Sequence, residues 1–111
     1  MLFGLLPGTL DVLVLKALEH GRNHGYGVAR WIRDITDEAC VIEDGALYTA
    51  LHRLERDGLL TATWGTSEMN RRCKYYTLTT RGRRVLVEQS DTWRRSARAL
   101  FKVLDSRPGK A

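Results

Sequence analysis

Among the side chains that carry chemistry, few stand at spacings that would let them act together. His20 and His24 are four positions apart, which on a continuous helix would offer a pair of metal ligands. Gly21 and the turn expected after it break that register, so no metal site is expected. Cys40 and Cys73 lie 33 positions apart, match no CxxC or Cys/His zinc spacing, and read as reduced, half-buried thiols of a cytoplasmic protein. No Ser/His/Asp set, glycine-rich phosphate loop or convergent carboxylate pair is present, so neither catalysis nor a cofactor is expected. The chemistry that remains is ionic. Arg71, Arg72, Lys74, Arg81, Arg83 and Arg84 put six cations and no acid into residues 71–84. Concentrated Lys/Arg is the electrostatic footprint of phosphate binding, although a solvated surface would carry the same charge.

That block dominates the charge of the whole chain. The 111 residues hold eighteen Lys/Arg against thirteen Asp/Glu, net +5, yet residues 1–70 carry six Lys/Arg and ten Asp/Glu. All the positive excess therefore lies in the remaining residues. The length suits one domain, or one domain with an appended arm. A hydrophobic content of 43% and a charged content of 28% are ordinary for a chain that buries a core without disulfides. Residues 1–7 are apolar but too short for a signal segment, and no apolar run approaches a membrane span, so no membrane partner is expected.

The elements that must position these groups follow from periodicity. Leu10, Leu13, Val14, Ala17 and Leu18 form the stripe of an amphipathic helix, with Thr9 as its N-cap and Gly21 as its stop. Val28, Ala29, Ile32 and Ile35 form a second stripe after a turn at 22–23. Gly25 and Gly27 weaken its start, and a tight approach to the first helix would explain them; Tyr26 is expected between helices. A third helix is expected over 45–57, with Asp44 as N-cap and Gly58 beyond its end. The period then drops from about 3.6 to about 2: residues 59–64 and 71–78 read as two strands of a hairpin with a tip at 65–70. On the second strand Arg72, Lys74 and Tyr76 share one face, Cys73 and Tyr75 the other. Thr79 or Thr80 then caps a long helix reaching about residue 104.

Helix, helix, helix, hairpin, helix is the order of a winged helix-turn-helix, a mainly α (α+β) fold of three helices and a two-stranded β-hairpin wing. The boundaries expected are 1–78 for the DNA-binding domain, 79–105 for a C-terminal dimerisation helix and 106–111 for a disordered tail. In the third helix Leu47, Ala50, Leu51 and Leu54 fall in one sector and face the core. Opposite them lie Gly45, Thr49, His52 and Arg56, flanked by Tyr48 and Arg53. That outward face carries donors for base edges and phosphates, or it is merely solvated.

Three stretches of the sequence resemble the PadR family of bacterial transcriptional regulators. They are His24-Gly25-Tyr26-Gly27, then Asp44-Gly45-Ala46-Leu47-Tyr48-Thr49-Ala50-Leu51-His52-Arg53-Leu54-Glu55, then residues 64–68 with Asn70-Arg71-Arg72-Cys73-Lys74-Tyr75-Tyr76-Thr77-Leu78-Thr79. The resemblance spans about residues 5–104. It implies a dimeric repressor of the short subfamily, with one C-terminal dimerisation helix. The third helix would enter the major groove of double-stranded DNA through Gly45, Ala46, Tyr48, Thr49, His52, Arg53 and Arg56. The wing, with Arg71, Arg72 and Lys74, would lie over the flanking backbone or minor groove. Ala46 stands where Ser or Thr is common in the family and Thr49 where Pro is common, which bears on the operator that is read.

The long last helix needs a partner. Leu86, Trp93 and Leu100 recur every seven residues, with Ser90, Ala97 and Leu104 four after each, an a/d seam. Val85, Phe101 and Val103 widen its apolar surface beyond what a free helix leaves in water. A homodimer through Leu86, Trp93, Ala97, Leu100, Phe101 and Leu104 is expected, with the first helix of a partner subunit as the docking surface. Trp93 reads as a filler of that interface or, as the resemblance suggests, as a stacking platform for a small aromatic effector. Two other classes stand beside this one. A winged-helix module that binds protein would use the same surfaces without salt-sensitive DNA affinity. An RNA binder is disfavoured for want of an exposed aromatic platform.

Overall fold

The computed structural model describes residues 8–109. The expectations for residues 1–7, and for Lys110 and Ala111 at the end of the tail, fall outside them. The elements run α1 (Thr9–Ala17), β1 (Asn23–His24), α2 (Gly25–Ile35), α3 (Asp44–Arg56), β2 (Leu60–Thr66), β3 (Arg72–Leu78) and α4 (Thr80–Leu104). This is the expected winged helix-turn-helix with a long C-terminal helix, mainly helical with one small sheet.

The sheet has three strands, in the antiparallel order β1-β3-β2, where a two-stranded hairpin was expected. Asn23 and His24 pair with Tyr76 and Tyr75 of β3, so the turn between the first two helices doubles as a strand. Two residues are too few to show a period. His24 also caps α2, its Nδ1 accepting from the Gly27 N–H at 2.9 Å, so α2 begins at Gly25. Gly25 does answer a close approach, but of α3 rather than α1: a Cβ there would lie 2.9 Å from the Tyr48 ring.

The core is one cluster in which α1 contributes Val14 and Leu15, α2 Val28 and Ile32, and α3 Leu47, Leu51 and Leu54. Leu60, Tyr76 and Leu78 close it from the sheet. Fully burying such a side chain contributes roughly 1.5–3 kcal/mol, so the apolar stripes read from the sequence are what fasten the helices together. Burial pushes the Tyr76 phenol and the Cys40 thiol up from their usual ranges. Thr9 is not an N-cap but the first residue of α1, behind Gly8. It is buried, and its hydroxyl accepts from Trp93 Nε1 at 3.3 Å.

The first turns of α4 belong to this core rather than to an appended arm. Thr79 caps the helix, accepting from the Gly82 N–H at 2.9 Å and donating to the Gly58 carbonyl at 2.8 Å. Gly82 lies against the backbone of Leu59, where a Cβ would fall 2.2 Å from the carbonyl oxygen. Leu86 is 4% exposed and Val85 packs beside it. Leu86 therefore leaves the expected dimer seam: at its level the helix runs along its own α1, which consumes that face. Trp93 and Ala97 are half-buried, whereas Leu100, Phe101, Val103 and Leu104 are more than half exposed. Residues 106–109 follow the helix as an exposed loop and turn.

Candidate nucleic-acid interface

The outward face of α3 follows from its inward one. With Leu47, Ala50, Leu51 and Leu54 buried, the geometry of about 3.6 residues per turn leaves Gly45, Ala46, Tyr48, Thr49, His52 and Arg56 exposed. Arg53 behaves differently. Its guanidinium makes two hydrogen bonds of 2.7 Å to the Asp11 carboxylate on α1, which raise its pKa further. Arg53 turns along the side of α3 towards α1 and is withdrawn from that outward face.

The wing continues the core sheet outwards. The register pairs Leu60 with Leu78, Ala62 with Tyr76, Trp64 with Lys74 and Thr66 with Arg72. Alternation puts these residues on one face of the ribbon, as read from the sequence for Arg72, Lys74 and Tyr76. The face changes character along its length: Leu60, Tyr76 and Leu78 at the base are buried, while Trp64 and Arg72 towards the tip are exposed. On the opposite face Tyr75 is covered by Arg22, 4.3 Å from its ring centroid, and by His24 edge-on at 5.5 Å.

The outer half of that face and the exposed side of the helices enclose a concavity of about 1120 Å³. Tyr48 and His52 line it from α3, Arg71, Arg72 and Lys74 from the wing, and Tyr26, Arg30 and Trp31 from α2. The structure thus brings together residues that stood over twenty positions apart. It separates others: Arg81 donates to the Asp57 carbonyl at 2.9 Å and Arg83 to the Glu19 carbonyl at 3.1 Å. Only the first half of the cationic block, Arg71, Arg72 and Lys74, lies on the concavity. His20 is an exposed neighbour of Glu19 while His24 caps α2, and among the described residues no group of three or more His, Cys, Asp or Glu gathers to hold a metal.

Of the aromatic lining, Tyr48 was legible in the sequence on the flank of the outward face of α3, whereas the exposure of Tyr26 and Trp64 was missed. Tyr26 is 60% exposed rather than packed between helices, and Tyr48 and Trp64 are 42% and 59% exposed. The objection to an RNA binder, that no exposed aromatic platform exists, therefore falls. Counting the hairpin register outwards from Leu60 and Leu78 would have placed Trp64 opposite Lys74.

Residues 14–88 match the transcriptional regulator PadR-like family. The chain belongs to the PadR family. It is a transcriptional regulator, not an enzyme. A transcriptional regulator from Clostridium thermocellum is similar in structure with a TM-score of 0.79 and 31% identity, covering 88% of this chain and 95% of its own. A PadR family transcriptional regulator from Eggerthella lenta is 33% identical with a TM-score of 0.77, over 96% of this chain and 91% of its own. PadR of Bacillus subtilis, solved in complex with operator DNA, shares the fold at a TM-score of 0.65 and 22% identity, over 72% of this chain and 45% of its own. Among the described residues of this PadR-family regulator, no helix is long and apolar enough to cross a membrane.

Proposed function

We propose that this regulator is a homodimeric repressor that binds double-stranded DNA through α3 and the wing. The observation that carries the reading is the concavity that Tyr48 and His52 of the exposed face of α3 share with Arg71, Arg72 and Lys74. Tyr48, Thr49, His52 and Arg56 enter the major groove with Gly45 and Ala46 at the leading turn, where the small residues let the backbone come close. The wing cations take phosphates of the flanking backbone or the edge of the minor groove. An operator is the DNA on which the Bacillus subtilis relative was solved, which supports the repressor sense.

The dimer is assigned to the outer half of α4. Leu100, Phe101, Val103 and Leu104 form an apolar end that no part of the described chain covers, exposed by 52%, 59%, 70% and 66%. Such a patch in a soluble regulator calls for a second copy, and symmetry then presents two reading helices to two half-sites. A small aromatic effector acts at Trp93, whose indole sits where α4 leaves α1 and the outer half begins.

The test is an electrophoretic shift of the full chain on the DNA upstream of its own coding sequence, repeated over a range of salt. A discrete complex that weakens steeply with salt is expected. A salt-insensitive interaction, or none, would move the function to protein binding.

A further inference from the structure

Trp64 stands towards the tip of the wing, on the face that lines the concavity, and is 59% exposed. Over its ring lies the Arg72 guanidinium, 4.6 Å from the centroid, and farther off, also over the ring, the Lys74 ammonium at 5.8 Å. Phosphate binding needs cations but no indole.

We infer that Trp64 is the positioning residue of the wing: its ring holds Arg72 in place without neutralising it, so that the guanidinium meets DNA already ordered. The inference rests on the DNA-binding reading above and adds to it a residue that touches the ligand only through another. The other arginines show what the arrangement avoids. Arg53 is ordered by Asp11, and its charge is cancelled there. Arg81 and Arg83 are each ordered by one backbone carbonyl, and neither lines the concavity. Among the described residues Arg72 makes no side-chain hydrogen bond or ion pair. An aromatic ring attracts the flat face of a guanidinium and leaves its in-plane N–H groups pointing outwards, in the fork that matches two phosphate oxygens. Order, charge and donors are all kept.

Lys74 completes the device. Its ammonium lies 3.6 Å from Glu55 on α3 as well as near the Trp64 ring, so it fastens the wing to the reading helix. The cation that ties wing to helix is partly neutralised, and the one held by the ring alone is not. Arg71, at the tip and exposed, has no such support and is expected to matter less per charge.

The test combines binding with a readout on the free protein. Ordering a flexible side chain before binding is worth about a two- to tenfold change in affinity per wing. Trp64→Ala should therefore weaken binding to a labelled duplex of the chain's own upstream DNA by that factor, with the slope of log K against log salt unchanged, because Arg72 keeps its charge. Trp64→Phe should recover most of the loss. The double variant Trp64→Ala with Arg72→Ala should bind no worse than Arg72→Ala alone. In NMR spectra of the free wild-type protein the Arg72 side-chain protons should be shifted upfield by the indole ring current, and Trp64→Ala should return them to ordinary positions.

Losses that add in full would overturn the inference, because Trp64 would then touch DNA itself, as would a Trp64→Ala variant that binds like wild type. Unshifted Arg72 protons in the wild type would overturn it without reference to DNA. If the wild type bound no duplex while the ring-current shift was present, the DNA-binding reading would fail, and with it any claim that the stack serves DNA.

Discussion

Asp11 on α1 and Arg53 on α3, forty-two positions apart, face each other through two hydrogen bonds of 2.7 Å. The pair straps α3 to α1, the helix against which α4 packs, and it does so at the rim of the core, with the side chains 17% and 39% exposed. Solvent screening keeps such a pair modest. Arg53→Ala should lower stability to urea by about 1 kcal/mol, the scale of a well-formed but partly exposed ion pair. Its salt dependence of DNA binding should match wild type. A variant of unchanged stability whose salt slope became shallower would return Arg53 to the DNA.

Base reading by α3 is open to substitution of its exposed polar groups. Thr49→Ala and His52→Ala should each alter the ranking of operator variants, by about 1–3 kcal/mol where the residue makes a good base contact. Competition binding against a panel of single-base operator changes measures this. Two variants that kept the wild-type ranking would take the reading function away from α3.

Electrostatics makes the role of the wing quantitative. Each phosphate neutralised in B-DNA contributes a slope of about −0.9 to log K against log salt. Arg72→Ala should make the slope shallower by about one unit, or two where both subunits engage, and weaken all sequences alike. Arg81→Ala should leave the slope unchanged, since Arg81 does not line the concavity. Equal slopes for wild type and Arg72→Ala would mean that the ribbon is merely solvated.

The exposed end of α4 gives a prediction for assembly. Leu100 is 52% exposed in the single chain, so a charge there costs little in a monomer. In a dimer seam Leu100→Glu would bury an unpaired carboxylate at a cost of several kcal/mol. Sedimentation should show a folded monomer, with DNA affinity reduced. A dimer of undiminished stability would place the interface elsewhere.

Gly82 tests how tightly α4 is built into the winged-helix core. In an open helix interior, Gly→Ala stabilises by about 1 kcal/mol. Here the added Cβ would fall 2.2 Å from the Leu59 carbonyl oxygen, an atom of the backbone that cannot step aside. Gly82→Ala should therefore destabilise, by about 1–3 kcal/mol on the scale of overpacked cores. A raised melting temperature would show that the helix can lift away from Leu59.

Much of this protein was determined by sequence alone, because the deciding interactions repeat. The stripes Val14–Leu18, Val28–Ile32 and Leu47–Leu54 recur with the helical period, so helices and buried faces follow from spacing without knowledge of what they pack against. The outward set Thr49, His52 and Arg56 came with them as the complement of the apolar face. Once residues 59–78 were read as a hairpin, alternation assigned Arg72 and Lys74 to one side. What only the tertiary structure decided are meetings between residues with no common period. Nothing in the pattern around Arg53 shows that Asp11 waits on α1, so a cation on the flank of α3 read as a DNA contact. Leu86 fits a heptad as well as Leu100 does, yet one is buried in its own core and the other is not, because α1 is short and leaves the outer half of α4 uncovered. Asn23 and His24 became a strand only because Tyr75 and Tyr76 offered them an edge. Periodicity describes one element against an average environment; ion pairs, strand edges and ring stacks depend on which particular neighbour arrives, and that is settled by the packing of the whole chain.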